Sequence, residues 1–319
     1  MHKSFDSIYD NNYYYNRFIN RRRKRIAIVA FDANKYNDKL YWRYACKSYI
    51  GINGLDEIQD YICRIAKIFC RINKLIFRIH LAGGFIDADD AALLIFPDNR
   101  PYQVEIIGSE SKDDPTIIGS SGNSIGHMNI ITPVYFSISN ITFDNTRLIL
   151  EKHQSSYKKK CIINNCIFIN SILVNDSIDN YDITRCAFND SKIVIVNNHI
   201  YVSHDRAITM NGNITHCLFS SNIDNSYYFE LKNVRKSLST IDIHNNTFIY
   251  NGESATALIR IFGQHFPSIN LTSNVMTNIS RLISNIMTSH CICMDDSNIF
   301  LGCGTELTRH VKAQSCRIM

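Results

Sequence analysis

Helical periodicity is what this chain lacks. Beyond residue 130, no ten-residue stretch spaces its apolar residues by three and four, as an amphipathic helix does. Paired-helix repeats are excluded on that ground. The regular leucine frame of a leucine-rich repeat is missing too. No apolar run approaches the roughly 20 residues of a membrane span. The stretch Ile26 to Phe31 behind the basic run is shorter than the ~7–15 residues of a signal-peptide core, so no leader is expected. The formal net charge is only +5 over 319 residues, too mild to imply nucleic acid by itself. The eleven cysteines form no zinc-type CxxC pair. An odd total without such pairs points to thiols kept reduced, as in a cytosol.

What the chain does have is a phrase said seven times. It reads "ISNITF" (138–143), "INNCIF" (163–168), "ITRCAF" (183–188), "ITHCLF" (214–219), "IHNNTF" (243–248), "LTSNVM" (271–276) and "DDSNIF" (295–300). Successive first residues lie 25, 20, 31, 29, 28 and 24 positions apart. A period of roughly 20–30 residues is that of a solenoid. Flanking stretches such as 191–203 and 256–263 alternate apolar and polar residues, as half-buried strands do. The unit is therefore a strand unit, and the fold class expected is all-β, a single-stranded right-handed parallel β-helix.

The phrase also predicts its own geometry. Its first and last positions are apolar and five apart, yet residues on one face of a strand are separated by even numbers. A bend must lie inside it. Positions two and three are polar in all seven phrases, and Asn, frequent there, tolerates the left-handed backbone. After the bend, positions four and six share the inward face. Position six holds Phe143, Phe168, Phe188, Phe219, Phe248, Met276 and Phe300. Coils stacked about 4.8 Å apart turn these into one aromatic ladder. Position four holds Cys166, Cys186 and Cys217 on consecutive phrases. A relaxed disulfide needs Cβ atoms about 3.5–4.5 Å apart, closer than stacked coils bring them, so free, small, buried thiols are expected.

The chain divides into a basic, aromatic-rich segment (1–52) holding the only tryptophan, Trp42, a β-helix domain (53–303) and a tail (304–319). The run Arg21, Arg22, Arg23, Lys24, Arg25 is read as a solvated arm, with attraction to an anionic surface or a nuclear-localisation signal as the functional readings. Residues 55–70 place Ile58, Ile62, Ile65 and Phe69 on one face, with Asp56 and Glu57 in the first turn. That predicts a helix capping the open end of the solenoid. The opening from this helix through Ile76–Leu81, Gly83-Gly84-Phe85 and Ile106-Ile107-Gly108 resembles that of pectate-lyase-like right-handed β-helix proteins, particularly those of phage tails. With the repeats, the resemblance covers about 53–303. It implies the fold and a glycan-related role. The catalytic motifs of galacturonan hydrolases are missing: "IGHM" (125–128), "RIH" (78–80) and "RIF" (260–262) stand alone, so no catalytic role carries over.

Three candidate sites remain. His204, Asp205 and Arg206, in a long insertion between phrases, could do acid–base work on a sugar, against the plainer reading of a solvated loop. Asp87, Asp89 and Asp90 could offer oxygen ligands to Ca²⁺, against a solvated turn between strands. Cys316 begins a terminal "CRIM" that fits a prenylation box except for the non-aliphatic Arg317, which would tether the chain to a membrane. The Asn-x-Ser/Thr triplets follow from the Asn-rich bends and are not read as glycosylation sites. The expectation is an elongated binding or structural module for a polysaccharide or cell-surface ligand, self-associating or not. A polysaccharide lyase or glycoside hydrolase with a non-standard site is the alternative, and a prenylated, host-directed interaction protein the third. Fold alone does not choose among them.

Overall fold

The computed structural model describes most of residues 75–304, and the backbone of the strands Arg25–Phe31 and Ser48–Tyr49. Outside the description lie the rest of 1–74, residues 305–319, and the internal segments 89–91, 96–101, 153–158, 197–209, 233–238, 253–255, 263–266 and 284–291, with single residues 82, 123 and 225. The predicted capping helix at 55–70 lies outside the described residues. Within them there is no helix.

Among the described residues strands are the only regular elements, and they form three parallel sheets of 11, 9 and 8 strands. One coil shows the plan. Asn180–Thr184 joins the first sheet, Ala187–Asn189 the second and Lys192–Val196 the third. The next coil repeats it with Asn211–Thr215, Leu218–Ser221 and Tyr227–Lys232. Each strand pairs in register with its counterpart one coil away, as in Ile183↔Ile214 and Phe188↔Phe219. This is a parallel β-helix. Two coils precede the first phrase. They begin at Leu75–Leu81 and Tyr102–Ile107; of the turn expected at Gly83-Gly84-Phe85 only Gly83 is a bend, because Gly84 and Phe85 already belong to the second-sheet strand Gly84–Asp87, while Ile106-Ile107-Gly108 does close the strand Tyr102–Ile107. Gly108 is obligatory there, because a Cβ would sit 2.0 Å from the Asn140 carbonyl oxygen of the next coil. The stretch Ile26 to Phe31 forms the body of a strand that pairs with Leu75–Leu81 at the N-terminal edge of the first sheet.

The bend predicted inside the phrase is real. Position three is left-handed in six of the seven phrases, at Asn140, Asn165, Arg185, His216, Asn245 and Ser273, with φ between 53° and 59°. Backbone amides at these bends find partners; that of Asn165, for example, donates to the Thr184 carbonyl one coil on. In the seventh phrase Asp295 makes the turn instead, accepting from the Ser297 amide through its carboxylate. A second left-handed bend, at Asn145, Asn170, Asp190 and Asn278, turns the chain from the second sheet to the third.

Inside, Phe143, Phe168, Phe188, Phe219 and Phe248 stack with ring centroids 4.7–5.0 Å apart and planes within 16°. Met276 continues the column, fully buried, and Phe300 closes it partly buried. Each fully buried ring is worth about 1.5–3 kcal/mol of transfer free energy. Volume alternates along a neighbouring column of the first sheet. There Tyr181 sits between Cys161 and Gly212, and its ring fills the space that a Cβ on Gly212 would need.

Position four carries more than small hydrophobes. Cys166, Cys186 and Cys217 are free thiols, as expected. Above them Asn246, Asn274 and Asn298 are buried amides that form a ladder. Each Nδ2 donates to a carbonyl of the preceding coil: Ile214 at 2.9 Å, Ile243 at 2.8 Å and Leu271 at 2.8 Å. Each Oδ1 accepts a backbone amide of the preceding coil, from Cys217, Asn246 and Asn274 in turn. Hydroxyls do the accepting half of this work at the second bend, where Ser171 Oγ takes the Thr146 amide and Ser191 Oγ the Ser171 amide.

Candidate functional site

Residues brought together on an outer sheet face form the site. Strict alternation along Tyr227–Lys232 would put Tyr227, Phe229 and Leu231 on one side. Instead the consecutive rings of Tyr228 and Phe229 both lie against Phe219, with centroids 5.9 and 5.2 Å away. Tyr227 pairs with Ala257 and Phe229 with Ile259, and the intervening Tyr228 and Leu258 are both fully buried. The irregularity turns Tyr227 to the outer face of the third sheet, where it meets Glu230 and Lys232. Parallel registry adds Arg260 beside Glu230 and Phe262 beside Lys232.

Glu230 is the centre. Its side chain is only 4% exposed, although it faces outward. Oε1 lies 2.7 Å from Lys232 Nζ, and Oε2 lies 3.1 Å from Lys192 Nζ. Tyr227 Oη donates to Oε2 at 3.0 Å, and Lys192 Nζ donates to Tyr227 Oη at 2.8 Å. Arg260 adds a third cation. Its guanidinium lies 5.1 Å from the Tyr227 ring centre and 4.6 Å from that of Phe262. Lys192 also sits over Tyr227, and Lys232 over Phe262. Such stacking is worth about 0.5–1 kcal/mol at exposed sites and more where water is excluded.

The electrostatics follow from this packing. Burial opposes the Glu230 carboxylate, but Lys232, Lys192 and Tyr227 outweigh it and hold its pKa below the ordinary carboxylate value. Burial likewise opposes the Lys192 ammonium, and its bonds to Tyr227 and Glu230 hold its pKa above the ordinary lysine value. One carboxylate against Lys192, Lys232 and Arg260 leaves positive charge in excess beside two aromatic rings. On one side the patch adjoins a small apolar cluster of Val174, Val194 and Val196, packed with Ile149 and Ile172. This arrangement can stack a ring and neutralise an anion.

The residues singled out from the sequence fall elsewhere. His204, Asp205 and Arg206 lie outside the described residues, in the segment that follows the third-sheet strand Lys192–Val196. Asp87 is exposed and accepts from Ser121 Oγ at 2.6 Å; Asp89 and Asp90 lie outside the description. Among the described residues no group of three His, Cys, Asp or Glu side chains could hold a metal ion. Arg21–Lys24 and Cys316 are not described, and of Arg25 only the backbone is. Of the site itself, only Arg260 and Phe262 stood out beforehand, as part of "RIF". Lys192 and Glu230 are 38 residues apart, and the unequal lengths between phrases conceal that registry.

A second polar cluster lies at the bend from the third sheet back to the first. Lys152 Nζ meets both oxygens of Asp179, at 2.9 and 2.7 Å, and the Lys159 backbone amide donates to the same carboxylate at 2.7 Å. All three residues are buried. Asp179 here does for Lys159 what Ser239 Oγ does for the Met210 amide two coils on, so this cluster is a piece of the corner scaffold. Compared with known protein families, curated proteins and solved structures, the chain gave no match.

Proposed function

We propose that this protein is a parallel β-helix binding module that recognises a polysaccharide, without cleaving it, on the outer face of its third sheet. The observation that carries this reading is the Arg260 guanidinium between the Tyr227 and Phe262 rings, beside two lysines that share one buried carboxylate. Aromatic faces supply the apolar platform a sugar ring stacks on. The cations favour a glycan that carries carboxylate or sulfate groups. Glu230 holds Lys192 and Lys232 in place, so the positive charge is presented in one geometry before a ligand arrives. The pectate-lyase-like group is the family to which this reading assigns the chain, supported by the stacked parallel coils and by Gly108 following directly on the strand Tyr102–Ile107.

The test is retention on immobilised anionic and neutral polysaccharides, with the flow-through assayed for products. Retention of the anionic glycan, weakened about tenfold or more by Arg260→Ala and by Phe262→Ala, is the expected result. New reducing ends, or unsaturated products absorbing in the ultraviolet, would replace the reading with a hydrolase or a lyase. In that event His204, Asp205 and Arg206 are the first positions to substitute.

A further inference from the structure

Asn-Gly steps occur at Asn53-Gly54, which lies outside the described residues, at Asn211-Gly212 and at Asn251-Gly252. The two described steps sit in opposite surroundings. Asn211-Gly212 lies inside the strand Asn211–Thr215, with Gly212 paired to Tyr181 on one side and to Ile241 on the other. Asn251-Gly252 follows directly on the strand Thr247–Tyr250, at the corner between the second and third sheets. Other asparagines at this corner are tied down. Asn145 and Asn278 donate through Nδ2 to the Ser124 and Tyr250 carbonyls. After Asn170, the Ser171 amide donates to Ser191 Oγ. Asn251 has neither restraint. Its side chain is exposed, and among the described residues neither that side chain nor the Gly252 amide has a hydrogen-bond partner.

A carboxylate lies over Gly252. Tyr250 Oη donates to Asp224 Oδ1 at 2.5 Å. A Cβ on Gly252 would fall 2.2 Å from that hydroxyl oxygen and 2.7 Å from that carboxylate oxygen. Packing therefore demands glycine here, because only glycine allows so close an approach. The same missing side chain leaves the Gly252 amide nitrogen unshielded.

We propose that Asn251 is a self-modification site, where the Gly252 amide attacks the Asn251 side chain with Asp224 as base, and the side-chain amide becomes a carboxylate. The Gly252 nitrogen bonds to Asn251 Cγ, and Asp224 takes the proton from that nitrogen. The Cγ–Nδ2 bond breaks, and ammonia leaves with the proton that Asp224 returns. Water then opens the cyclic imide at either of its carbonyls. One opening gives aspartate. The other gives isoaspartate, in which the main chain runs through the former side chain. The net change is water taken up and ammonia released, with no oxidation or reduction. The corner accommodates such a carboxylate. Asp190 stands there in register with Asn170 one coil earlier, in the same left-handed backbone, and accepts from Ser221 Oγ and the Asn222 amide. The new charge at Asn251 falls just before Ala257–Phe262, the strand that carries Arg260 and Phe262.

Peptide mapping of the full chain during incubation at mildly alkaline pH tests this, with isoaspartate detected by enzymatic methylation. The expected result is conversion at Asn251 while Asn211 stays intact. In urea, where the corner is lost, Asn251 should slow to the rate of Asn211. Asp224→Ala should slow the reaction of Asn251 in the folded chain by about tenfold or more. Because Asp224 is exposed, the circular dichroism spectrum of that variant should match the parent. An Asn251 that remains an amide in the folded chain, or that reacts no faster folded than in urea, overturns the proposal. So does an Asp224→Ala chain that reacts at the parent rate, or an Asn211 that keeps pace with Asn251 while the chain is folded.

Discussion

The same corner of the β-helix is made of sulfur in its middle coils and of amide toward its C-terminal end. Cys186 and Cys217 occupy the places that Asn246, Asn274 and Asn298 occupy further on. They also perform the same two tasks. Cys217 Sγ accepts the Cys186 amide at 3.4 Å and approaches the Ile183 carbonyl at 3.7 Å, where Asn246 makes contacts of 2.9 Å in both roles. A thiol is a weak donor and a weak acceptor. The corner therefore needs a side chain of about this size far more than it needs this hydrogen-bonding strength. Volume keeps the chain on its path, and the amides add bond energy where they are present.

Truncation at the two ends of the ladder sharpens this difference. Asn274→Ala removes the donor to Ile243 O and strands the Asn246 backbone amide and one of the two Nδ2 hydrogens of Asn246, the other still donating to Ile214 O. Each unsatisfied group costs about 1–3 kcal/mol, so a loss of about 3–5 kcal/mol is expected. Cys186→Ala removes weak sulfur contacts and a small volume, and should cost about 1–2 kcal/mol. Urea midpoints at unchanged slope measure both. Equal losses at the two positions would mean that the amides contribute nothing beyond volume.

How these residues looked in the sequence explains what was legible. The aromatic ladder and the first bend followed from one fact, that apolar residues five apart cannot share a strand face. Both are present, from Phe143 to Phe300. The Asn ladder was open to the same logic. Asn246 stands where its counterparts are Ile141 and Cys166, so it is inward, and an inward amide must find partners. The third sheet was less accessible. Its strands lack a repeated phrase, and Tyr227–Lys232 breaks alternation at Tyr228. The two coils before residue 138 carry no copy of the phrase and were visible only through the resemblance of their strands; in the second of them, residues 108–115 separate first-sheet and second-sheet strands that in every other coil lie four residues or fewer apart. The candidate site depends on insert lengths, and no spacing rule predicts which side chains such inserts bring side by side.

Titration separates the two chemistries in another way. Amides do not titrate, but thiols do. The neighbouring Cys186 and then burial push the Cys217 thiol far up, and burial first pushes Cys186 up from its ordinary 9.0. A thiol whose pKa is higher in the folded chain gives stability that is complete below the unfolded value and is lost as pH rises above it. Unfolding free energy should therefore decline above about pH 9, and decline less in a Cys186→Ala, Cys217→Ala chain. Glu230 governs the acid side. Its lowered pKa means stability that is present above the unfolded carboxylate value and lost as pH falls through the folded one. Glu230→Gln should flatten that limb. An alkaline limb identical in the double-Ala chain would show that Cys186 and Cys217 are not its cause. By the same reasoning, Cys186 and Cys217 should react with a thiol reagent only after denaturation.

The smallest effect concerns the bends beside the ladder. Asn165 and Asn245 take the left-handed backbone at the bends before Cys166 and Asn246, whereas Arg185 and His216 take it before Cys186 and Cys217. Left-handed backbone costs an ordinary residue about 1–2 kcal/mol, and Asn less. Two of the sulfur coils thus carry a strain that their Asn-bend neighbours avoid. His216 recovers part of it through Nδ1, 2.8 Å from Thr215 Oγ1. Replacing His216 with Asn should relieve the backbone while keeping a short polar side chain at the same place. The expected gain is about 0.5–1 kcal/mol, read as a higher urea midpoint at unchanged slope. The same substitution at Asn245 in reverse, Asn245→His, should lose a similar amount. If His216→Asn destabilises the chain instead, the bond to Thr215 outweighs the strain, and the bends of the sulfur coils are held by their side chains rather than merely tolerated.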